Sequence, residues 1–224
     1  GHTLLMSYVG SHAINASLYK KLPFDPEKDF APVATLATLP FVLVARPDAP
    51  FKSVKELAEQ GRRTPLTFGS AGNGSVNHLL GVMFNSAAGT KLEHIPYRGA
   101  APAINDLMAG TVDFVNADVP ILRSYVKDGR IKALVIYDTK RSPLLPDVPT
   151  AVEAGLPGLM MSNWYGVLVP AGTPPEAKKR IEDALAKVVR QPEVAARLAE
   201  AGFMNPRDAA GFKALLDSGF DRWL

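Results

Sequence analysis

Short apolar runs rich in β-branched residues alternate with amphipathic stretches along the chain. This pattern predicts mainly parallel sheets, buried on both faces and flanked by helices, and so an α/β protein. Strands are expected over residues 3–9, 33–37, 41–45, 66–69, 92–95, 112–116, 131–136 and 165–169. Ser53 and Glu56 have the spacing of a capping box ahead of the apolar positions Val54, Leu57 and Ala58. Pro102 opens a helical turn that ends at Gly110, with Ile104, Leu107 and Met108 inward, and Pro120 opens another through Leu122, Tyr125 and Val126 that Gly129 stops. Two further helices follow from Ala177, Ile181, Ala184, Leu185 and Val188, and from Phe212, Leu215, Leu216 and Phe220.

Prolines mark the seams. Pro40, Pro47 and Pro50 flank one strand, and Pro170, Pro174 and Pro175 follow another, which are places for the chain to cross between lobes. The expected division is one discontinuous lobe from residues 1–45 and 165–224 and a second from residues 46–164. No internal repeat or low-complexity tract interrupts it.

Composition narrows the function. A chain of 224 residues with 47% hydrophobic and 21% charged residues suits one large or two modest globular domains, and no apolar run is long enough to insert into a membrane. The net charge of +3 comes from Lys and Arg scattered among Glu and Asp, with no basic stripe interleaved with aromatics, which argues against a nucleic-acid partner. Zero cysteines exclude disulfides, thiolate catalysis and Cys-based metal sites. The residues from Gly1 have neither Met nor a basic and apolar leader, so a processed or trimmed product is expected and export cannot be read from them.

The most informative stretch is Gly69-Ser70-Ala71-Gly72-Asn73-Gly74-Ser75, between an expected strand and a helix carrying His78, Leu79, Leu80 and Phe84. Two readings stand. Three glycines let the backbone approach a ligand and point N–H groups at it, with the Ser70 and Ser75 hydroxyls and a helix N-terminus completing an anion cradle. Alternatively, the stretch is a tight turn with Ser75 as helix cap. It is not nucleotide machinery: Ser75 stands where a Walker loop needs Lys, and Asn77 where the dinucleotide fingerprint needs its third Gly. A carboxylate is the natural occupant.

Catalysis is not expected. Ser70, His78 and Asp113 or Asp118 supply the residue types of a hydrolase triad, but Phe68 breaks the nucleophile-elbow pattern. His2, His12, His78 and His94 show neither metal-ligand spacing nor a carboxylate pattern, so each reads as a hydrogen-bonded or surface imidazole, His78 with the further option of orienting the glycine loop. No metal or other cofactor is called for. Asp118, just ahead of Pro120, caps a helix or else faces the ligand cleft and welcomes an ammonium or hydroxyl group. Trp164 offers an apolar surface there or belongs to the core.

Seven ordered blocks carry a resemblance along nearly the whole chain: GHTLLM from Gly1, HAINASLYKKLPFDPEKDFAPV from His12, FKSVKELA from Phe51, FGSAGNGSVNHLLG from Phe68, IPYRGAAPAINDLMAGTVDF from Ile95, KRSPLLPDVPTAVEAGLPG from Lys140 and WYGVLVPAGTP from Trp164. They are similar to the extracytoplasmic solute receptors of tripartite tricarboxylate transporters, the Bordetella uptake gene family. The resemblance implies a bilobed periplasmic binding fold that grips a small carboxylate between strand-turn-helix elements of both lobes and passes it to the membrane subunits of the transporter. It matches residues 69–75 to the second-lobe element and Ser7, Gly10, Ser11 and His12 to the first-lobe cleft edge, with Ala117 and Asp118 where many members have Asp-Asn. Members of that family carry, ahead of the position matching Gly1, a strand, a glycine-rich loop and a helix that supply the first-lobe half of the grip, and their last helix runs beyond Leu224. These 224 residues are therefore expected to be part of a longer receptor. A sensor that acts on a signalling partner through the same closed surface is the alternative role.

Overall fold

The computed structural model describes the backbone of residues 3–203 and 206–223 and the side chains of residues 3–16, 18–203 and 206–218. Gly1 and His2 of the first sequence block, the Phe220 side chain and Leu224 lie outside the described residues. In chain order the elements are β1 (Leu5–Tyr8), a π-helical turn (Gly10–Ile14), α1 (Asn15–Leu18), β2 (Phe30–Ala45), α2 (Val54–Gly61), β3 (Thr67–Ser70), α3 (Val76–Ala88) and β4 (Glu93–Pro96). They continue with α4 (Ala100–Ala109), β5 (Phe114–Asp118), α5 (Val119–Lys127), β6 (Lys132–Ile136), β7 (Ser162–Pro170), α6 (Pro175–Val189), α7 (Pro192–Glu200) and α8 (Ala209–Trp223). No described helix is long and apolar enough to cross a membrane.

The chain divides into two compact units. One takes the segments up to Leu39 and from Asn163 onward, and the other is Pro40–Ser162. In the Pro40–Ser162 unit the strand order is β6-β2-β5-β3-β4. β3 is parallel to both β4 and β5, while β5 and β6 flank β2 and are both antiparallel to it. Four strands therefore share one direction and β2 alone opposes them. The reason lies in the connections. Helices α3, α4 and α5 each carry the chain back for another parallel strand, whereas β2 enters from the other unit with no crossover helix to set its direction.

Val42 and Val44 of β2 and Val115 and Ala117 of β5 pack against Ile104 and Leu107 of α4 and Leu122 of α5, all buried. Each large aliphatic buried this way contributes about 1.5–3 kcal/mol. The strands expected over 33–37 and 41–45 are one continuous strand, β2. Pro40 lies inside it immediately before the ladder that pairs Phe41 to Ala45 with β5, so its missing N–H takes no bond from that ladder. The Ser53 cap forms as expected, its hydroxyl accepting the Glu56 N–H at 3.2 Å; the returning Glu56 carboxylate binds the Lys52 N–H at 2.8 Å, one residue ahead of the usual target.

In the other unit β1 pairs antiparallel with β7, with Ser7 opposite Gly166, and β2 lies on the far side of β7. Val33, Val167 and Val169 form a small core under Ile181 and Leu185 of α6. A second contact sets the Trp164 ring edge-on to Phe212 of α8, with centroids 5.2 Å apart.

Candidate functional site

In the Pro40–Ser162 unit, β3, β4 and β5 run in parallel, so the turns after them lie along one edge of the sheet, where α3, α4 and α5 begin. That edge is where open α/β sheets present loops and helix N-termini to ligands. The glycine loop is its most developed turn. Ser75 takes the N-cap position of α3: its Oγ accepts the His78 N–H at 3.3 Å and donates to the Gly72 carbonyl at 2.7 Å. Gly72 and Gly74 hold φ at 128° and 76°, a region that favours glycine. Gly69 has a different role, since a Cβ there would lie within 3.3 Å of Ala103, Tyr97 and Val115; it lets α4 close on the sheet.

The loop spends some of its amides on itself. The Gly72 N–H donates to Ser70 Oγ, the Gly74 N–H to His78 Nδ1 and the Ser75 N–H to the Gly72 carbonyl, each at 3.1 Å. The His78 and Leu79 amides are taken by Ser75. Among the described residues no acceptor engages the N–H groups of Ala71 and Asn73, and the first two amides of α3, on Val76 and Asn77, have no intrahelical partner. The amides left without an acceptor thus belong to the residues between and after the glycines. α2, α6 and α7 carry Glu in their first turns, whereas α3 and α4 carry no acidic residue there, which leaves the N-terminus of α3 open to an anion; the nearest acid on this edge by element is Asp118 at the N-cap of α5. Arg98, which sequence reasoning did not single out, is exposed on the turn before α4, next to Tyr97, whose carbonyl lies 3.3 Å from the position of a Cβ on Gly72.

Beneath the loop, Ser70 is fully buried and its Oγ lies 2.5 Å from His94 Nε2 of β4. The His94 and His78 rings stack with centroids 3.9 Å apart and planes 19° apart, and Phe68 stacks on His94 at 5.0 Å. Burial lowers the pKa of both imidazoles, and the neighbouring His78 helps bring His94 down to about 4. The residues expected for a triad are not assembled. Ser70 contacts His94 rather than His78, and the Asp113 carboxylate accepts the Thr67 N–H at 2.8 Å and its hydroxyl at 3.2 Å. Asp118 occupies the N-cap position of α5 without a side-chain capping bond, and it is half-buried. Behind the loop, the Asn77 side chain donates through Nδ2 to the Asn116 carbonyl at 2.6 Å, tying α3 to β5.

In the other unit, Ser7, Ser11 and His12 bind one another. Ser7 Oγ lies 2.6 Å from His12 Nδ1 and 3.0 Å from Ser11 Oγ, and the Ser11 hydroxyl donates to the Tyr8 carbonyl. Ser7 and His12 are buried, and the His12 ring packs with Phe24 and Phe30 in a cluster of three mutually contacting rings. Trp164, 2% exposed, is part of that unit's core against Phe212. Among the described residues no group of three or more His, Asp or Glu side chains is placed to hold a metal ion.

Two α/β units built from a chain that leaves one and returns to it, with a glycine-rich turn at a sheet edge, form the architecture of the bilobed periplasmic binding proteins. The chain belongs to the tripartite tricarboxylate transporter receptor family, whose profile it matches over residues 1–214. It is 37% identical over 227 residues to the UPF0065 protein in the tcbD-tcbE intergenic region of Pseudomonas sp. strain P51, covering 100% of this chain and 67% of that protein. The chain thus spans about two thirds of the length of that relative. Among solved structures, MatC from Rhodopseudomonas palustris with bound malate is 33% identical, with a TM-score of 0.85 over 99% of this chain and 78% of its own. Rpa4515 from R. palustris with adipate is 30% identical, with a TM-score of 0.89 over 100% of this chain and 76% of its own.

Proposed function

We propose that this protein is a periplasmic receptor that captures a small carboxylate and delivers it, chemically unchanged, to the membrane subunits of a tripartite tricarboxylate transporter. The observation that carries this reading is the set of unengaged amides on Ala71, Asn73, Val76 and Asn77 at the acid-free N-terminus of α3. Each charge-assisted hydrogen bond to a carboxylate contributes about 1.5–3 kcal/mol, so two or three of these amides supply a useful affinity. The malate and adipate held by relatives in the same family are ligands of that class. Capture without turnover follows from Ser70, whose hydroxyl is enclosed and hydrogen-bonded within the loop instead of being presented to a substrate.

Thermal-shift measurements of the full chain against malate, adipate and their neutral diamides test the reading. The acids are expected to raise Tm and the diamides to leave it unchanged. Equal indifference to every acid across a wider carboxylate panel would overturn it. A chromogenic ester assay should be silent for both wild type and Ser70→Ala; ester cleavage lost in the variant would favour a hydrolase.

A further inference from the structure

The glycine loop is held from below by two side chains that come from different elements. His78, in the first turn of α3, accepts the Gly74 N–H on Nδ1 at 3.1 Å. A ring nitrogen that accepts is bare, so in the neutral ring the proton sits on Nε2, and a doubly protonated His78 has no acceptor left for Gly74. His94, on β4, meets Ser70 Oγ through Nε2, and Ser70 Oγ in turn accepts the Gly72 N–H. The rings are stacked on each other, and Phe68 closes the far side of His94. One stack therefore reaches the loop at two backbone positions, Gly72 through Ser70 and Gly74 directly.

Resting on the carboxylate-receptor reading above, we propose that His78 and His94 act together as positioning residues for the anion site, holding the glycine loop in its receptive form while both rings are uncharged. Fixing Gly72 and Gly74 inward orients the intervening Asn73 amide and the adjacent Ala71 amide, two of the groups left for a ligand. A charge on either ring works against the arrangement. On His78 it removes the Gly74 acceptor, and on either ring it faces a second imidazole with centroids 3.9 Å away. Few other charges bear on the pair. α3 and β3 carry no Asp, Glu, Lys or Arg, and Glu93 of β4 is exposed and alternates to the other face of the strand from His94. Of the acids on the packed elements, Asp106 of α4 accepts the Tyr97 hydroxyl, Asp113 is held by Thr67, and Asp118 ends β5.

The test combines calorimetric affinity for malate and adipate with the amide shifts of Gly72 and Gly74, on the full chain. His78→Phe and His94→Phe keep a flat ring in the stack and remove the polar contact. His78→Asn and His94→Gln place an uncharged amide near the lost Nδ1 and Nε2 positions. Each Phe variant is expected to lose about ten-fold in affinity and to move its own glycine amide, with the Asn and Gln variants recovering most of both. Because Asn cannot titrate, the affinity of wild type relative to His78→Asn should fall as the pH is lowered below about 6.5, where an imidazole depressed by burial begins to charge, the ligand's own titration cancelling in the ratio.

Phe variants that bind like wild type with unmoved glycine amides would overturn the proposal. If the Phe variants do not fold, the ratio of wild type to His78→Asn decides it, and a flat ratio counts against it. Should wild type bind neither acid, the receptor reading fails separately, and the glycine amide shifts still decide the positioning role.

Discussion

The buried Tyr137 hydroxyl donates a hydrogen bond of 2.7 Å to Asn116 Oδ1, and both side chains are fully enclosed. The backbone carbonyl of the same Asn116 accepts from Asn77 in the first turn of α3, so a tyrosine after β6 supports the helix that starts at the glycine loop. Tyr137→Phe removes the donor and leaves Asn116 Oδ1 buried without it. The expected cost is about 1–3 kcal/mol of stability, since an unmet buried acceptor keeps its full desolvation penalty. Urea unfolding of the variant measures it. A loss below about 0.5 kcal/mol would mean that Asn116 finds another partner.

Gly81 sets how closely α3 lies on the sheet. A Cβ there would fall 2.1 Å from the Phe68 ring, which is itself enclosed and stacked on His94. Relief requires the aromatic ring or the helix to move, and overpacking of this kind costs about 1–3 kcal/mol. Gly81→Ala should therefore lower Tm and weaken carboxylate binding together, because the shifted elements carry the loop and the His stack. Thermal unfolding with and without malate reads both effects. A variant with lowered Tm and full affinity would separate the packing of α3 from the site.

Much of this architecture was legible because local sequence and tertiary role agree. The β-branched runs around Val42 and Val115 are buried strands, and Ser53 and Ser75 cap helices where their spacing predicts. α7 escaped because it is only nine residues long and its apolar stripe is short, with Val194 and Leu198 as its large apolar positions, both half-buried. The loop itself was visible in its glycines, but the identity of its unengaged amides was not, since that depends on where Ser70 and His78 turn their side chains. His94 gave no local signal at all. It lies 24 residues from Ser70 in sequence, and only the parallel register that sets Phe68 beside His94 brings them together.

The pH dependence of stability follows from His12, His78 and His94, whose pKa values burial lowers from 6.5 in the folded protein, to about 4 for His94. As pH falls through 6.5 the unfolded chain takes up these protons first, so the free energy of unfolding declines. The stability associated with these neutral rings is present above that pH and lost progressively toward about 4, where His94 titrates in the folded state. Urea midpoints should therefore fall steadily between pH 7 and pH 4.5, roughly the window set by an unperturbed and a depressed imidazole. His94→Gln should flatten part of that slope. A midpoint constant across the window would contradict the assignment of neutral, buried rings.

Ser75 allows the two readings of the glycine loop, helix cap and anion cradle, to be separated by experiment. Its Oγ caps α3 and braces the Gly72 carbonyl, so Ser75→Ala should cost about 1 kcal/mol of stability, typical of a lost N-cap, and also weaken carboxylate binding. That variant alone does not distinguish a disturbed loop from a lost anion site. Comparing it with Ser75→Asp does, because both variants lose the donor to the Gly72 carbonyl, while only Asp caps the helix and adds a negative charge at its N-terminus. The Tm of Ser75→Asp should exceed that of Ser75→Ala, and its affinity for malate should fall below that of Ser75→Ala by about ten-fold or more, since like charges now compete for one set of amides. Calorimetry and thermal unfolding on the same sample give both numbers. Retained affinity in Ser75→Asp would show that the N-terminus of α3 is only a capped helix end and that the carboxylate is held elsewhere.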